Sequence, residues 1–155
     1  IVYIPKDLKF EYVNISSKAG SITIKNLITD NLKLNLGAGE TKIENINSNK
    51  TKIDSGVGSF TVDNSVLEDL DFDMGIGEAK IEAKILGNSK IDTGIGSLKL
   101  KLIGNKEEYK LKINKGIGDI KVDNTKITAE EIIGDGSNFI NIDGGIGEIK
   151  ISYED

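Results

Sequence analysis

The chain has 155 residues, with 20 Lys and Arg against 25 Asp and Glu, a formal charge of −5, and neither His nor Cys. Every basic residue is a Lys, so the bidentate guanidinium contacts that read bases and grip phosphates are missing, and nucleic acid is not an expected partner. The lack of His and Cys excludes disulfides, thiolate nucleophiles, imidazole bases and the common zinc, haem and iron–sulfur sites, and no cofactor is expected.

No apolar run approaches the roughly 20 residues of a membrane-spanning helix, so membrane insertion by this segment is not expected. The opening at Ile1 without an initiator Met is expected of an excised or mature form whose targeting or anchoring segment has been left out, and no charged-then-apolar segment opens the chain. Uniform composition and length predict one domain over residues 1–155.

In chain order, IVYIPKDLKFEYVNISS, residues 1–17, reads as an imperfect first coil that caps the fold. Val13 and Ile15 fall in the apolar register of the later repeats, while Pro5 cannot donate a ladder hydrogen bond. Residues 18–155 then repeat. Gly-x-Gly stands at 37/39, 56/58, 75/77, 94/96, 116/118 and 145/147, with a degenerate copy at Lys18-Ala19-Gly20. Successive copies from Gly37 onward are 19, 19, 19, 22 and 29 residues apart. The unit is therefore 19 residues, as it also is from the degenerate copy to Gly37, with three extra residues in one repeat and ten in another.

Within each unit apolar residues recur in columns. Ile24, Ile43, Val62, Ile81, Leu100, Val122 and Ile151 form one. Leu34, Ile53, Phe72, Ile91, Ile113 and Ile142 form a second, and a third lies between the glycines: Ala19, Ala38, Val57, Ile76, Ile95, Ile117 and Ile146. Lys, Asp and Asn fill the positions between, the period-two signature of strands buried on one face.

On this parity Ile53, Ser55 and Val57 point inward, and the next inward pair, Phe60 and Val62, is out of step by one. The slip is placed at the second glycine, so Gly39, Gly58, Gly77, Gly96, Gly118 and Gly147 are expected at structural corners, where glycine supplies positive φ. Asn26, Asn45, Asn64 and Asn124 suggest a second corner and a stacked Asn ladder. The ten-residue insertion lies near 126–138, where Thr128 and Glu131 resemble a capping box opening one helical turn on a surface excursion.

Strands that repeat their own columns every 19 residues are expected to pair with their copies in parallel. The predicted fold is all-β, a single-stranded right-handed parallel β-helix, or β-solenoid, of about 19 residues per coil. An antiparallel sandwich seldom repeats its strand sequences, and a propeller blade needs about 40 residues.

The Pro-containing opening YIPKDLKFEYVNISSKAGSITI followed by GAGETKI, GVGSFTV, GIGEAKI, GIGSLKL, GIGDIKV and GIGEIKI resembles the bacterial adhesin family, β-solenoid domains of unknown function with repeated Gly-x-Gly units. The resemblance covers nearly the whole chain. It implies an extracellular or cell-envelope location and a surface role, and it carries no catalytic residues.

The Gly-x-Gly units are not phosphate loops, because no helix follows to supply a dipole. They are not calcium-binding nonapeptide repeats either, because the period is 19 and the required Asp is absent. One outward column, Asn35, Asp54, Asp73, Asp92, Asn114 and Asp143, stacks carboxylates about 4.8 Å apart. Asp54, Asp73 and Asp92 are thus candidate metal ligands, since like charges this close recruit a cation and oxygen-rich sites suit calcium.

The spacing also approaches that of a retaining glycosidase pair, yet three equivalent Asp residues lack the differentiated environments of an acid and a nucleophile. The simpler reading is a solvated face of mixed charge, with Lys33, Lys52, Lys90 and Lys112 beside the Asp column and Lys42, Lys80, Lys99, Lys121 and Lys150 on the other strand.

The expected function is a non-catalytic cell-surface module of structural or adhesion type, not an enzyme, whose partner is a protein or an envelope polymer. The alternative is a calcium-dependent carbohydrate-binding or carbohydrate-active β-helix that uses the Asp column.

Overall fold

Alternation of apolar and polar residues runs almost unbroken along the chain, and nearly all of the chain is extended. The computed structural model describes residue 5 and residues 7–155. Part of the predicted capping coil, residues 1–4 and 6, lies outside the described residues.

The strands are β1 (Lys9–Glu68), β2 (Leu70–Leu86), β3 (Asn88–Ile103), β4 (Tyr109–Asn114), β5 (Ile117–Val122), β6 (Thr125–Ile127), β7 (Glu131–Ile133), β8 (Asn138–Asp143) and β9 (Ile146–Glu154). A 3₁₀ turn, Lys106–Glu108, separates β3 from β4. The 60-residue β1 is wound rather than straight: Asn45 bonds Asn26, 19 residues earlier, and Gly39 lies against Gly20.

Two of the predicted columns form the core. Leu34, Ile53, Phe72, Ile91, Ile142 and Ile113 are each no more than 1% exposed, and Ile43, Val62, Ile81, Leu100, Ile151 and Val122 are buried with them. Phe60 and Phe72 stack with ring centroids 5.1 Å apart. Burying one such side chain contributes about 1.5–3 kcal/mol, so a column that continues through every repeat is the main stabilising feature.

The 19-residue step is visible in the ladders. Ile53 pairs with Phe72 and Gly58 with Gly77, and Phe72 with Ile91 and Gly77 with Gly96, all in parallel. At the second corner Asn26, Asn45 and Asn64 have φ of 56°, 55° and 47°. Their amides link in series, Asn45 Nδ2 to Asn26 Oδ1 at 3.2 Å and Asn64 Nδ2 to Asn45 Oδ1 at 2.7 Å. Asn45, in the middle, both donates and accepts, so the ladder ties together the left-handed corners of three repeats. Asn124 stands elsewhere. With Asp123 (φ 45° and 65°) it makes the two-residue turn between β5 and β6, the mirror-image turn whose twist suits antiparallel hairpins.

The expected single-stranded right-handed parallel β-helix does not describe the molecule. The sheet is mixed: β6 runs antiparallel to β5, and β7 antiparallel to β4. One path crosses it in the order β6-β5-β9-β3-β8-β4-β7, and the strands wrap one core as a nearly closed, barrel-like shell.

Chain order is also not spatial order. The last two strands, β8 and β9, lie between β3 on one side and β4 and β5 on the other. Two insertions make this possible. The three extra residues fall in the 3₁₀ turn, where Asn105 N–H donates to Glu108 Oε1 at 3.0 Å and Lys84 pairs with Glu108 at 3.2 Å. That turn carries the chain across the slot that β8 and β9 later fill, two strand spacings instead of one, or about 9.6 Å.

The ten-residue insertion supplies β6 and β7, which take the outer edges of β5 and β4 and leave their inner edges to the returning chain. The helical turn expected at Thr128 and Glu131 is absent. Glu131 opens β7 and pairs with Ile113, because residues 131–133 satisfy their backbone groups on the edge of β4.

Exposed ion pairs decorate the shell. Glu44 is gripped by Lys25 and Lys42, both at 2.7 Å, and these hydrogen bonds pull its carboxyl from 4.5 down to about 2. A carboxyl held below its unfolded value stabilises the fold above that value and loses this contribution as pH falls through the folded one. Glu44→Gln should therefore lower the melting temperature slightly at pH 7, as expected for an exposed pair. The difference should fade between pH 4.5 and about 2, and a difference that persists at pH 2 would refute the pairing.

Candidate binding surface

The outward columns are held by the same ladders that build the core, so each is a straight row of side chains about 4.8 Å apart. The row between the glycines differs from expectation: Val57, Ile76, Ile95, Ile146 and Ile117 are 55, 52, 49, 51 and 73% exposed. Ser55 is partly buried and Phe60 fully buried, so the alternation slips at the first glycine, not the second, and the residue after it is thrown outward.

The reason is backbone contact. A Cβ on Gly75 would lie 2.2 Å from the carbonyl oxygen of Gly56, so the first glycine is where one repeat rests directly on the next. The second glycines, Gly39, Gly58, Gly77, Gly96, Gly118 and Gly147, have φ between 133° and 138° and make the same kind of contact.

In spatial order the apolar row runs Val57, Ile76, Ile95, Ile146, Ile117. On one side lies a row of Ser59, Glu78, Ser97, Glu148 and Asp119 in the same register. On the other lies the Asp column, in which Asp54 pairs with Asp73, Asp73 with Asp92, Asp92 with Asp143 and Asp143 with Asn114.

The metal candidates Asp54, Asp73 and Asp92 are thus adjacent in one row. Among the described residues, however, no group of three or more His, Cys, Asp or Glu is gathered closely enough to hold a metal ion. Flanking groups already engage the row. Lys90 Nζ sits 2.8 Å from Asp92, and this bond, with the charges of Asp143 and Asp71, raises the Lys90 pKa. Asp143 accepts hydrogen bonds from the amides of Asn114 and Asn141.

Several of the aromatics are spent in the interior. Phe60, Phe72 and Tyr109 are buried, and the Tyr109 hydroxyl donates to the Ile103 carbonyl at 2.6 Å. Tyr153 packs on Tyr109 at 5.9 Å, and burial pushes its hydroxyl up to about 12. The flat faces consequently offer few rings for stacking sugars. A concavity of about 460 Å³ lies by the insertion and is lined by Val122, Ile127, Ile133 and Tyr153 with Asp123 and Asp135.

Parity alone placed the apolar row inside, so the sequence reading missed it as a surface. The signal that could have found it is the doubling of the glycines: a single positive-φ corner needs one, and the other implies a backbone contact that turns the intervening side chain out.

Among the described residues no helix is long and apolar enough to cross a membrane. No curated protein and no solved structure matches the chain. Residues 2–152 match the family described as Toastrack DUF4097, and the chain therefore belongs to this family of domains of unknown function.

Proposed function

We propose that the chain is a non-catalytic, cell-surface binding module of structural or adhesion type, and that its apolar corner row is where a protein partner docks. The observation that carries this reading is the row itself: five aliphatic side chains, each about half exposed or more, aligned over roughly 19 Å by the ladder spacing. Soluble domains seldom leave so ordered an apolar strip uncovered without a use for it.

Carboxylate rows on both flanks make the strip selective, favouring a partner with an apolar centre and basic margins. The absence of His and Cys and the near-equivalence of the stacked Asp residues favour binding over catalysis. The resemblance to adhesins supports the surface location.

Ile76→Ser with Ile95→Ser leaves the core untouched and should melt close to the parent. Binding of the purified domain to isolated envelope protein should be saturable and fall at least tenfold in this variant. Equal binding by parent and variant would overturn the assignment of the corner row.

A further inference from the structure

Lys80, Lys99, Lys150 and Lys121 stand in one outward row, in that order, because β9 lies between β3 and β5. Four ammonium groups thus follow one another over about 14 Å. With Lys101, Asp123, Asn124 and Ser152 they line a shallow depression of about 340 Å³. Lys150 pairs with Glu148 at 3.1 Å and Lys101 with Glu154 at 2.6 Å. Among the described residues Lys80, Lys99 and Lys121 form no ion pair. Like charges directly opposite on neighbouring strands repel and cost stability, a cost that an anion lying along the row would remove.

We propose that this lysine row binds a narrow, linear polyanion of the phosphate class, extended along the row. Lysine suits it as a point-charge partner for phosphate oxygens. The width of the ligand follows from the neighbouring rows. Two residues to one side stand Glu78, Ser97, Glu148 and Asp119, and two residues to the other Glu82, Lys101, Ser152 and Asp123, where Lys101 lies 3.5 Å from Glu82. Each row is about 6.6 Å away along the strand, within the roughly 8 Å screening length of physiological salt. A flat anionic layer of lipid headgroups would meet the carboxylates of both neighbouring rows along with the lysines, whereas a single chain lies mainly over the lysines. The site is separate from the corner row and does not rest on that reading.

Calorimetric titration with medium-chain inorganic polyphosphate tests it. The parent should bind saturably, with log K falling against log salt at a slope of about −2 to −3 for three to four paired lysines. Lys99→Gln with Lys150→Gln should weaken binding at least tenfold and melt no lower than the parent, since repulsion is relieved. Lys33→Gln with Lys52→Gln, on the other strand, should bind as the parent does. Orthophosphate at equal phosphate concentration and phosphatidylglycerol vesicles should give no saturable signal. Absence of polyphosphate binding, equal loss in the two double variants, or vesicle binding as tight as that of polyphosphate would overturn the proposal.

Discussion

Gly77→Ala should destabilise the protein by about 2–6 kcal/mol, combining backbone strain with a steric clash, a large part of the roughly 5–15 kcal/mol typical of a domain. Gly77 has φ of 138°, and a Cβ there would sit 1.9 Å from the carbonyl oxygen of Gly58, an atom of the backbone that cannot rotate away.

Two other glycines separate the causes. Gly20 has φ of 117° but, among the described residues, nothing within 4 Å of where a Cβ would stand, whereas Gly75 would meet the Gly56 oxygen at 2.2 Å without a positive φ. Gly20→Ala should therefore read strain alone, about 1–3 kcal/mol, Gly75→Ala the clash alone, and Gly77→Ala both. Lys80→Val, on an outward row of a strand, should cost little. Thermal and denaturant melts of the four variants give the ranking, and a Gly20→Ala variant as unstable as Gly77→Ala would show that contact between repeats is not what demands the second glycine.

Removal of residues 144–155 should abolish cooperative folding of the C-terminal half, because β9 is an interior strand although it is last in the chain. Its loss would strip one of the two ladder partners from the β3 residues Ile95–Ile103 and from β5 together, and would empty the core of Ile149 and Ile151, 4 and 2% exposed. Those two side chains alone represent about 3–6 kcal/mol of burial. A chain stacked in sequence order would lose only its outermost layer and keep the rest.

Cysteine pairs give a direct reading of order in this cysteine-free chain. Lys99 and Lys150 are ladder partners, about 4.8 Å apart, and should cross-link when both are Cys. Lys99 and Lys121 lie two strands apart, about 9.6 Å, beyond the reach of a disulfide. Efficient oxidation of the Lys99–Lys121 pair, with none in the Lys99–Lys150 pair, would reverse the assigned order.

The sequence by itself determined the repeat, the register and the core. Columns such as Ile53, Phe72 and Ile91 are buried because a period of two puts them on one face, and a 19-residue interval brings each beside its copy. The left-handed corners at Asn26, Asn45 and Asn64 were legible for a similar reason: Asn and Gly are the residues that accept positive φ, so their recurrence marks the bends. The acidic row was legible too, as a row, since register alone stacks Asp54, Asp73 and Asp92.

Only the tertiary structure decided the order of strands, the mixed character of the sheet and which apolar column faces solvent. GIGDIKV and GIGEIKI carry the same columns and fit the same neighbours, so local preference cannot say which lies next to GIGSLKL. The choice is made where β6 and β7 cover one edge of β5 and β4 and the other edge is left for β9 and β8. The exposure of Val57, Ile76 and Ile95 was hidden likewise, because it follows from the close contact of glycine backbones in adjacent repeats, a contact between residues 19 apart that no local pattern of apolar and polar residues encodes.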